Sequence, residues 1–260
     1  MIHNTAPQEV DPTIHNIAHR GASAYEPENT LRAFERAIEM GATMLELDVH
    51  LTRDGHVVVI HDSDLSRIAG VPDRISDLTL EEVKQFDAGQ GERIPTLEEV
   101  IDLVRGRAQL YIELKGQHTP EPVVEILHRM DFADQVIVGS FDPWLPQKVK
   151  FLDPAVRTSV LVGKEHYSSD EEGRPEYVEY ALAVDADYVH LCWEKVLPRP
   201  HVLLTPSLLD TIRDAGLGII LWHEERPKEL RELVQLDVDG ICTNMPDVLA
   251  EILQEPKGDD

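Results

Sequence analysis

The stretch NIAHRGASAYEPENTLRAFERAIEMGATMLELDV, residues 16–49, decides the fold. A short apolar run at 16–18 leads into a polar loop, and an amphipathic helical pattern follows over 30–40. Gly41 is suited to end that helix, and a second strand pattern occupies 43–49. Strand, helix and strand in this order are typical of a β-α-β unit with parallel strands.

The same alternation continues to the end of the chain. Further strands are predicted at 109–114, 136–139, 158–162, 188–191, 218–222 and 240–243. Further helices, several starting at proline, are predicted at 97–105, 120–130, 143–151, 175–183, 206–215 and 227–236. Eight strands interleaved with helices predict an α/β fold, a (β/α)8 TIM barrel in one domain over residues 16–254. A doubly wound open sheet is the alternative, because a strand count does not prove closure.

A small hairpin and loop insertion is predicted after the second strand. Two strand patterns, 47–53 and 56–61, flank Asp54-Gly55, which favours a two-residue type I′ turn. In that register Asp48 faces His61 directly, with the Cβ atoms about 4.5–5.5 Å apart. A bulge would shift this register. Residues 68–94 are predicted to form an irregular excursion with a short helix at 79–86.

Charge and composition narrow the class of protein. Acidic residues number 49 against 24 basic ones, for a formal charge of -25. Such a chain is poorly suited to coat nucleic acid or an anionic membrane, since lysine and arginine drive phosphate binding. The two cysteines are too few for a disulfide framework, and the apolar runs are too short for a membrane span. We predict a cytoplasmic protein without stable membrane association, with flexible ends at 1–15 and 255–260 and an oligomeric state left open.

Carboxylates recur on one face of two predicted neighbouring strands. In MLELDV, residues 44–49, alternation places Glu46 and Asp48 opposite the leucines, and therefore inside the barrel near its carboxyl end. In YIELK, residues 111–115, the same alternation adds Glu113 and Lys115. Buried carboxylates need a counter-charge, which a hard divalent cation would supply. Pairing with lysine or arginine is the other solution.

The loop after the first strand adds groups suited to phosphate chemistry. His19 and Arg20 stand at the strand end, where the barrel mouth is predicted to open. Arginine presents a planar fork to phosphate oxygens, and histidine transfers protons near neutral pH. Two histidines, two basic side chains and three carboxylates in one mouth indicate cleavage of a phosphate ester. A buried structural pair is the alternative for His19 and Arg20.

Three quoted motifs resemble one known family. The run HRGASAYEPENTLRAFERAIEMGATMLELDVHLTRDGHVVVIHD, residues 19–62, is similar to the glycerophosphodiester phosphodiesterase family of phospholipase-C-like TIM barrels. IPTLEEV with YIELK, and DGICTNMP near the end, extend the likeness from residue 19 to 246. The resemblance implies hydrolysis of glycerophosphodiesters to glycerol 3-phosphate and an alcohol. It also implies one divalent cation, for which carboxylate ligands suit Mg²⁺, Ca²⁺ or Mn²⁺.

The resemblance also implies roles for particular residues. His19 and His61 would form an acid–base pair. Arg20 and Lys115 would contact the phosphate. Glu46, Asp48 and Glu113 would be metal ligands. His19 would take a proton from the substrate 2-hydroxyl, forming a cyclic phosphate, and His61 would protonate the leaving alcohol. The reverse assignment and direct attack by water stay open.

Three more residues have two interpretations each. Trp222 either lines the pocket for the substrate alcohol or packs the barrel, and we assign it to substrate binding. Glu28 and Asn29 either brace the first turn and cap its helix or help to shape the site from behind.

The chain departs from the family at two places. Many members have an asparagine shortly after the tryptophan of the seventh strand, where this chain has His223-Glu224-Glu225. In the last-strand motif, members commonly have an aspartate where this chain has Asn244. We expect neither departure to touch the catalytic groups. We also expect His223, like His50 and His56, to be an ordinary surface or loop histidine.

Two other functions compete with the leading one. Phospholipase D-like hydrolysis of lysophospholipids would need an apolar groove for a chain, and a catalytically silent protein would bind phosphodiesters without cleaving them. The pair of histidines argues against the silent protein, since binding alone needs no acid–base pair.

Overall fold

The computed structural model describes residues 14–163, 175–192 and 204–255. Within these residues eight parallel strands and one short antiparallel strand form a single sheet. The strands are β1 His15–His19, β2 Met44–Leu51, β3 Val57–Val59, β4 Gln109–Leu114, β5 Val136–Ser140, β6 Arg157–Val162, β7 Tyr188–Cys192, β8 Gly218–Trp222 and β9 Gly240–Thr243. The predicted flexible ends lie largely outside the described residues.

The parallel strands close into a barrel. β1 pairs with β2 on one side and with β9 on the other, so the eight parallel strands have no free edge. Helices connect them on the outside: α1 Leu31–Glu39, α4 Leu97–Val104, α5 Pro120–Arg129, α6 Trp144–Leu152, α7 Glu176–Ala183, α8 Pro206–Asp214, α9 Pro227–Leu233 and α10 Pro246–Leu253. The predicted TIM barrel is confirmed and the open sheet is excluded.

Local sequence signals account for most helix boundaries. Thr30 caps α1 by accepting a hydrogen bond from the Ala33 N–H at 3.2 Å. Thr96 and Glu99 form a reciprocal capping box at the start of α4. Gly41 and Gly216 follow α1 and α8 with positive φ, as their helix-ending position requires. The last helix, α10, starts at Pro246 and was missing from the sequence prediction.

Strand alternation divides the core into an outer and an inner part. Leu45, Leu47 and Val49 are fully buried against the surrounding helices, as predicted. The opposite strand faces contribute a smaller apolar cluster inside the barrel, formed by Ile17, Met44, Tyr111, Ile137, Leu161, Ile220 and Cys242. Two residues further along β2 and β4, the inward positions become charged, so the apolar filling ends where the mouth begins.

The hairpin after β2 exists, but its predicted register is wrong by one residue. Val49 pairs with Val59, and the Thr52 N–H donates to the His56 carbonyl at 2.9 Å. The loop therefore has three residues, ending in Gly55 with a φ of 85°. Ile60, not His61, pairs with Asp48, as its N–H donates to the Asp48 carbonyl at 2.9 Å.

The chain between the hairpin and α4 is the predicted excursion. It contains the short helices α2 Ser66–Ala69 and α3 Leu80–Val83 and a 3-10 turn, Ile75–Asp77. Its apolar side chains form a separate small core with Val58 and Ile60. The insertion is thus held against the barrel rim by its own packing.

Gly21 permits the close approach between the first loop and α1. Its φ is 82°, and a Cβ atom at this position would lie 2.7 Å from the backbone of Ala33. The neighbouring Ala22 N–H donates to the Ala33 carbonyl at 3.0 Å. A side chain at Gly21 would therefore push the loop away from the helix.

We predict that Gly21→Ala lowers the free energy of unfolding by about 2–4 kcal/mol, through positive-φ strain plus overpacking. Gly70→Ala is the matched control, since its φ is 72° but nothing lies within 4 Å of the added Cβ. Its cost should be about 1 kcal/mol, from backbone strain alone. Urea unfolding of both variants measures the difference, and equal losses would contradict the steric argument.

Candidate active site

The carboxyl ends of β1, β2 and β4 bring the predicted residues together. In the sheet register His19 is the Cα partner of Glu46, and Asp48 is the partner of Glu113. Beside them a cavity of about 480 Å³ is lined by His19, Arg20, Ser23, Glu28, Trp222, His223 and Asn244. Lys115 lines a neighbouring cavity that includes His50. The parallel register thus collects residues that are far apart in sequence.

Three buried carboxylates form the centre of the site. One oxygen from each of Glu46, Asp48 and Glu113 lies within 4.8 Å of the other two. Lys115 Nζ is 2.6 Å from Glu113 Oε1 and 3.1 Å from Asp48 Oδ1. Arg20 Nε is 3.3 Å from Asp48 Oδ2, and its backbone N–H donates to Glu46 Oε2 at 2.9 Å. Basic partners are therefore present, as one of the two sequence interpretations expects, but they number two against three carboxylates.

The pKa values reflect this imbalance of charge. Burial and the neighbouring charge of Asp48 raise the pKa of Glu46 well above its usual value. The same two causes raise the pKa of Glu113 to about 7, although Lys115 opposes them. Burial would also raise the pKa of Asp48, but Lys115, Arg20, His61 and Asn29 lower it below its usual range. Oxygen ligands crowded in this way fit a hard divalent cation, which would relieve the repulsion.

His19 is held in a mostly buried position between the cluster and the last strand. Its Nε2 lies 4.0 Å from Glu46 Oε2, and its Nδ1 lies 2.7 Å from Asn244 Oδ1. Burial, followed by the charges of Arg20 and His223, lowers the pKa of His19 to about 3. The ring is therefore neutral at pH 7, as a proton acceptor must be.

His61 lies one residue beyond Ile60, the hairpin partner of Asp48. It follows β3, where the chain turns away from the ladder, and its carbonyl accepts a hydrogen bond from His50 Nε2 at 3.1 Å. Its Nδ1 is 2.7 Å from Asp62 Oδ1. His61 is also among the groups that lower the pKa of Asp48.

Glu28 and Asn29 contact the site as well as the turn. Asn29 is buried, has a φ of 57°, and donates from Nδ2 to Asp48 Oδ2 at 2.9 Å. Glu28 Oε1 accepts from Arg20 Nη1 at 3.1 Å and from Arg67 Nη2 at 2.7 Å. Thr30, rather than either of these two, caps the helix. Glu28 therefore orients a residue that lines the cavity, and Asn29 orients one of the clustered carboxylates.

Arg67 extends these contacts to His61. Its Nε donates to Asp62 Oδ2 at 2.5 Å, and Asp62 in turn holds His61. A continuous set of polar contacts thus connects Arg20 to His61 through Glu28, Arg67 and Asp62. The sequence does not reveal this path, because Arg67 belongs to the irregular insertion.

Two expectations about the departures from the family pattern are wrong. Asn244 hydrogen-bonds His19, so that departure does touch the predicted catalytic pair. His223 is not a surface residue, because its ring stacks on His19 with centroids 4.7 Å apart and 17° between the planes. His50 is mostly buried and contacts the His61 carbonyl, whereas His56 is exposed as expected.

Sequence reasoning also missed Ser23 and Glu225. Ser23 Oγ lies 2.7 Å from the His19 carbonyl and 2.8 Å from Asn244 Oδ1. Glu225 Oε1 accepts from Asn244 Nδ2 at 2.6 Å. Both residues follow the carboxyl end of a barrel strand, where the active sites of this fold are built. That position in the sequence could have identified them as candidates.

Trp222 forms part of the cavity wall at the end of β8. Its ring meets Phe141 edge to face, with centroids 5.6 Å apart, and Phe141 in turn lies under Lys115 Nζ at 6.0 Å. Trp222 therefore both lines the cavity and packs, inside the barrel, against the residue that follows β5. The two interpretations of this residue are compatible.

Within residues 14–163, 175–192 and 204–255, no helix is long and apolar enough to cross a membrane.

Comparison with known proteins agrees with the geometry of the mouth. The model of the glycerophosphoryl diester phosphodiesterase family matches residues 19–248. A glycerophosphodiester phosphodiesterase of Caldanaerobacter subterraneus subsp. tengcongensis is 33% identical, over 92% of this chain and 97% of its own.

Two solved structures are similar over nearly their whole length. The glycerophosphodiester phosphodiesterase of Thermotoga maritima has a TM-score of 0.75 and 31% identity, covering 91% of this chain and 96% of its own. A phosphodiesterase of Oleispira antarctica in complex with the product sn-glycerol-3-phosphate has a TM-score of 0.79 and 26% identity, covering 92% and 96%. The chain therefore belongs to the glycerophosphoryl diester phosphodiesterase family and is a phosphoric diester hydrolase.

Proposed function

We propose that the protein hydrolyses glycerophosphodiesters to glycerol 3-phosphate and an alcohol by acid–base catalysis between His19 and His61. The observation that carries this proposal is one cluster of buried carboxylates that holds Arg20 and Lys115, with His19 Nε2 at 4.0 Å from Glu46 and His61 next to the hairpin partner of Asp48. The product named for the Oleispira antarctica relative, sn-glycerol-3-phosphate, supports the choice of substrate.

We further propose one divalent cation, Mg²⁺, Ca²⁺ or Mn²⁺, with Glu46, Asp48 and Glu113 as its ligands. The three carboxylate oxygens within 4.8 Å of one another support this assignment. Asn29 orients Asp48 by its hydrogen bond of 2.9 Å. A bound cation would supply positive charge at the phosphate oxygens and at the substrate hydroxyl.

Arg20 and Lys115 bind the phosphate in this proposal. Both side chains are partly buried beside the carboxylates, where a charge-assisted hydrogen bond to a phosphate oxygen is stronger than in water. Glu28 holds the Arg20 guanidinium at 3.1 Å and so limits its rotamers. Trp222 lines the same cavity from the end of β8 and offers an apolar wall for the alcohol.

The proton steps follow from the two histidines. His19 Nε2 accepts the proton of the glycerol 2-hydroxyl while the hydroxyl oxygen bonds to phosphorus and forms a cyclic phosphate. The bond from phosphorus to the leaving alcohol breaks, and His61 donates a proton to that alcohol. In the second half the roles reverse: a water loses a proton to His61 and bonds to phosphorus, the bond from phosphorus to the 2-oxygen breaks, and His19 returns its proton to that oxygen.

The carboxylate cluster predicts cation-dependent thermal stability. A cation at one hundred times its Kd adds about 2.7 kcal/mol, a rise of roughly 5–10 °C in Tm for a chain of this size. The gain should be larger at pH 8 than at pH 6. Since the pKa of Glu113 is raised to about 7, a cation must displace a proton from that carboxyl at the lower pH.

Without a cation, the effect of pH on Tm is the reverse. A carboxyl with a raised pKa binds its proton more tightly in the folded state, so Tm should fall as pH rises from 6 to 8. Differential scanning calorimetry with a chelator, then with each cation, measures both trends. Glu113→Gln should weaken both trends without abolishing them, since the pKa of Glu46 is raised as well, whereas Glu39→Gln, an exposed carboxyl on α1, should leave them unchanged. A wild-type protein indifferent to every cation would contradict the ligand assignment.

Substitution of the histidines tests the acid–base pair. His19→Ala and His61→Ala should each lower kcat/KM for glycerophosphocholine by about 10²–10⁴-fold, the usual contribution of a positioned acid or base. Choline release measures the rate, and circular dichroism checks that the fold survives.

His56→Ala is the matched control, because this histidine is exposed next to the hairpin loop and its loss should leave turnover unchanged. Wild-type rates in either catalytic variant would rule out the proposed pair.

A substrate panel separates the competing functions. Glycerophosphodiesters should yield glycerol 3-phosphate and alcohol in equal amounts, and a chelator should stop the reaction. Preference for lysophospholipids would favour the phospholipase D-like alternative. Binding without turnover at any cation concentration would leave only the silent binding protein.

A further inference from the structure

One carboxylate outside the cluster contacts both residues that frame His19. Glu225 Oε1 accepts a hydrogen bond from Asn244 Nδ2 at 2.6 Å and lies 3.6 Å from His223 Nε2. Asn244 reaches the edge of the His19 ring, and His223 stacks on its face. Glu225 follows β8 and Asn244 follows β9, so two neighbouring strands bring them together.

The direction of each hydrogen bond follows from the chemistry of the groups. A carboxylate accepts and cannot donate, so Asn244 must turn its NH₂ group towards Glu225. The amide oxygen of Asn244 then faces His19 Nδ1 at 2.7 Å and can only accept. The proton of the neutral His19 ring therefore lies on Nδ1, and Nε2 keeps its lone pair.

The lone pair lies on the side of the ring where the reaction is proposed. His19 Nε2 is 4.0 Å from Glu46 Oε2, so it points towards the carboxylate cluster. The hydroxyl of Ser23 is compatible with this arrangement, since it donates either to the His19 carbonyl or to Asn244 Oδ1. The Ser23 hydroxyl can also accept a hydrogen bond, so it does not by itself determine the orientation of the Asn244 amide. The Glu225 carboxylate can only accept, and it therefore determines that orientation.

We propose that Glu225 is a positioning residue that fixes the tautomer of His19 through the amide of Asn244. Its value for catalysis rests on the proposed function, in which His19 Nε2 is the base, but the tautomer itself does not. The neighbouring Glu224 has a different task. It accepts from the Arg226 N–H at 2.8 Å and braces the loop, which leaves the Glu225 side chain to face Asn244.

Exchanging donor and acceptor along the path tests this inference. In Glu225→Gln the new amide can donate or accept, so Asn244 is free to turn over and present its NH₂ group to His19. In Asn244→Asp two carboxylates face each other. We expect each single variant to lower kcat by roughly 10- to 100-fold with little change in KM, because the ring is then misprotonated but still in place.

The double variant Glu225→Gln/Asn244→Asp restores the pattern. The introduced glutamine would donate to the introduced aspartate, and that aspartate would accept from His19 Nδ1–H. We expect kcat to return to within about threefold of wild type, a coupling that independent sites do not show. A purely structural role predicts that the double variant is at least as impaired as the worse single variant, and that outcome would overturn the proposal.

The tautomer can be measured without turnover. In protein labelled with ¹⁵N-histidine, two-bond couplings between ring protons and nitrogens identify the protonated nitrogen, and His19→Ala assigns the signals. We expect Nδ1–H in wild type and in the double variant, and Nε2–H or a mixture in Glu225→Gln. Nδ1–H in Glu225→Gln, or Nε2–H in wild type, would refute the inference. A diester that is never cleaved would refute the proposed function alone.

Discussion

Repulsion among three carboxylates inside the barrel mouth is the constraint on which the site depends. Burial weakens screening, so Glu46, Asp48 and Glu113 cannot all be charged beside only two basic side chains without a large electrostatic cost. The closed barrel is what imposes this proximity, because adjacent parallel strands place Asp48 and Glu113 at the same height. A rigid frame thus maintains an arrangement that the charges alone would disperse.

The first loop and the insertion act as the two walls of this mouth. Gly21 lets the loop approach α1 closely, and the turn that follows directs Asn29 to Asp48. Glu28 and Arg67 then connect the loop to the insertion, and Asp62 extends these contacts to His61. The position of each histidine therefore depends on packing at some distance from the carboxylates.

Much of the site was predictable because its rules are local. Alternation along β2 and β4 is a two-residue period, so the inward direction of Glu46, Asp48 and Glu113 follows once the strands are assigned. The hairpin register was not predictable in the same way. Asp-Gly suits a two-residue turn, but Thr52 pairs with His56 and the loop takes three residues, which moves the partner of Asp48 by one position.

The sequence by itself determined the alternation of strands and helices, the inward face of each strand and the chemical character of the mouth. Periodicity and capping act over a few residues, and the chain displays them directly. Only the tertiary structure decided barrel closure, the stacking of His223 on His19 and the contact of Asn244 with both His19 and Glu225. Those contacts join the two ends of the chain, and their geometry is set by how β9 docks beside β1, which no local pattern encodes.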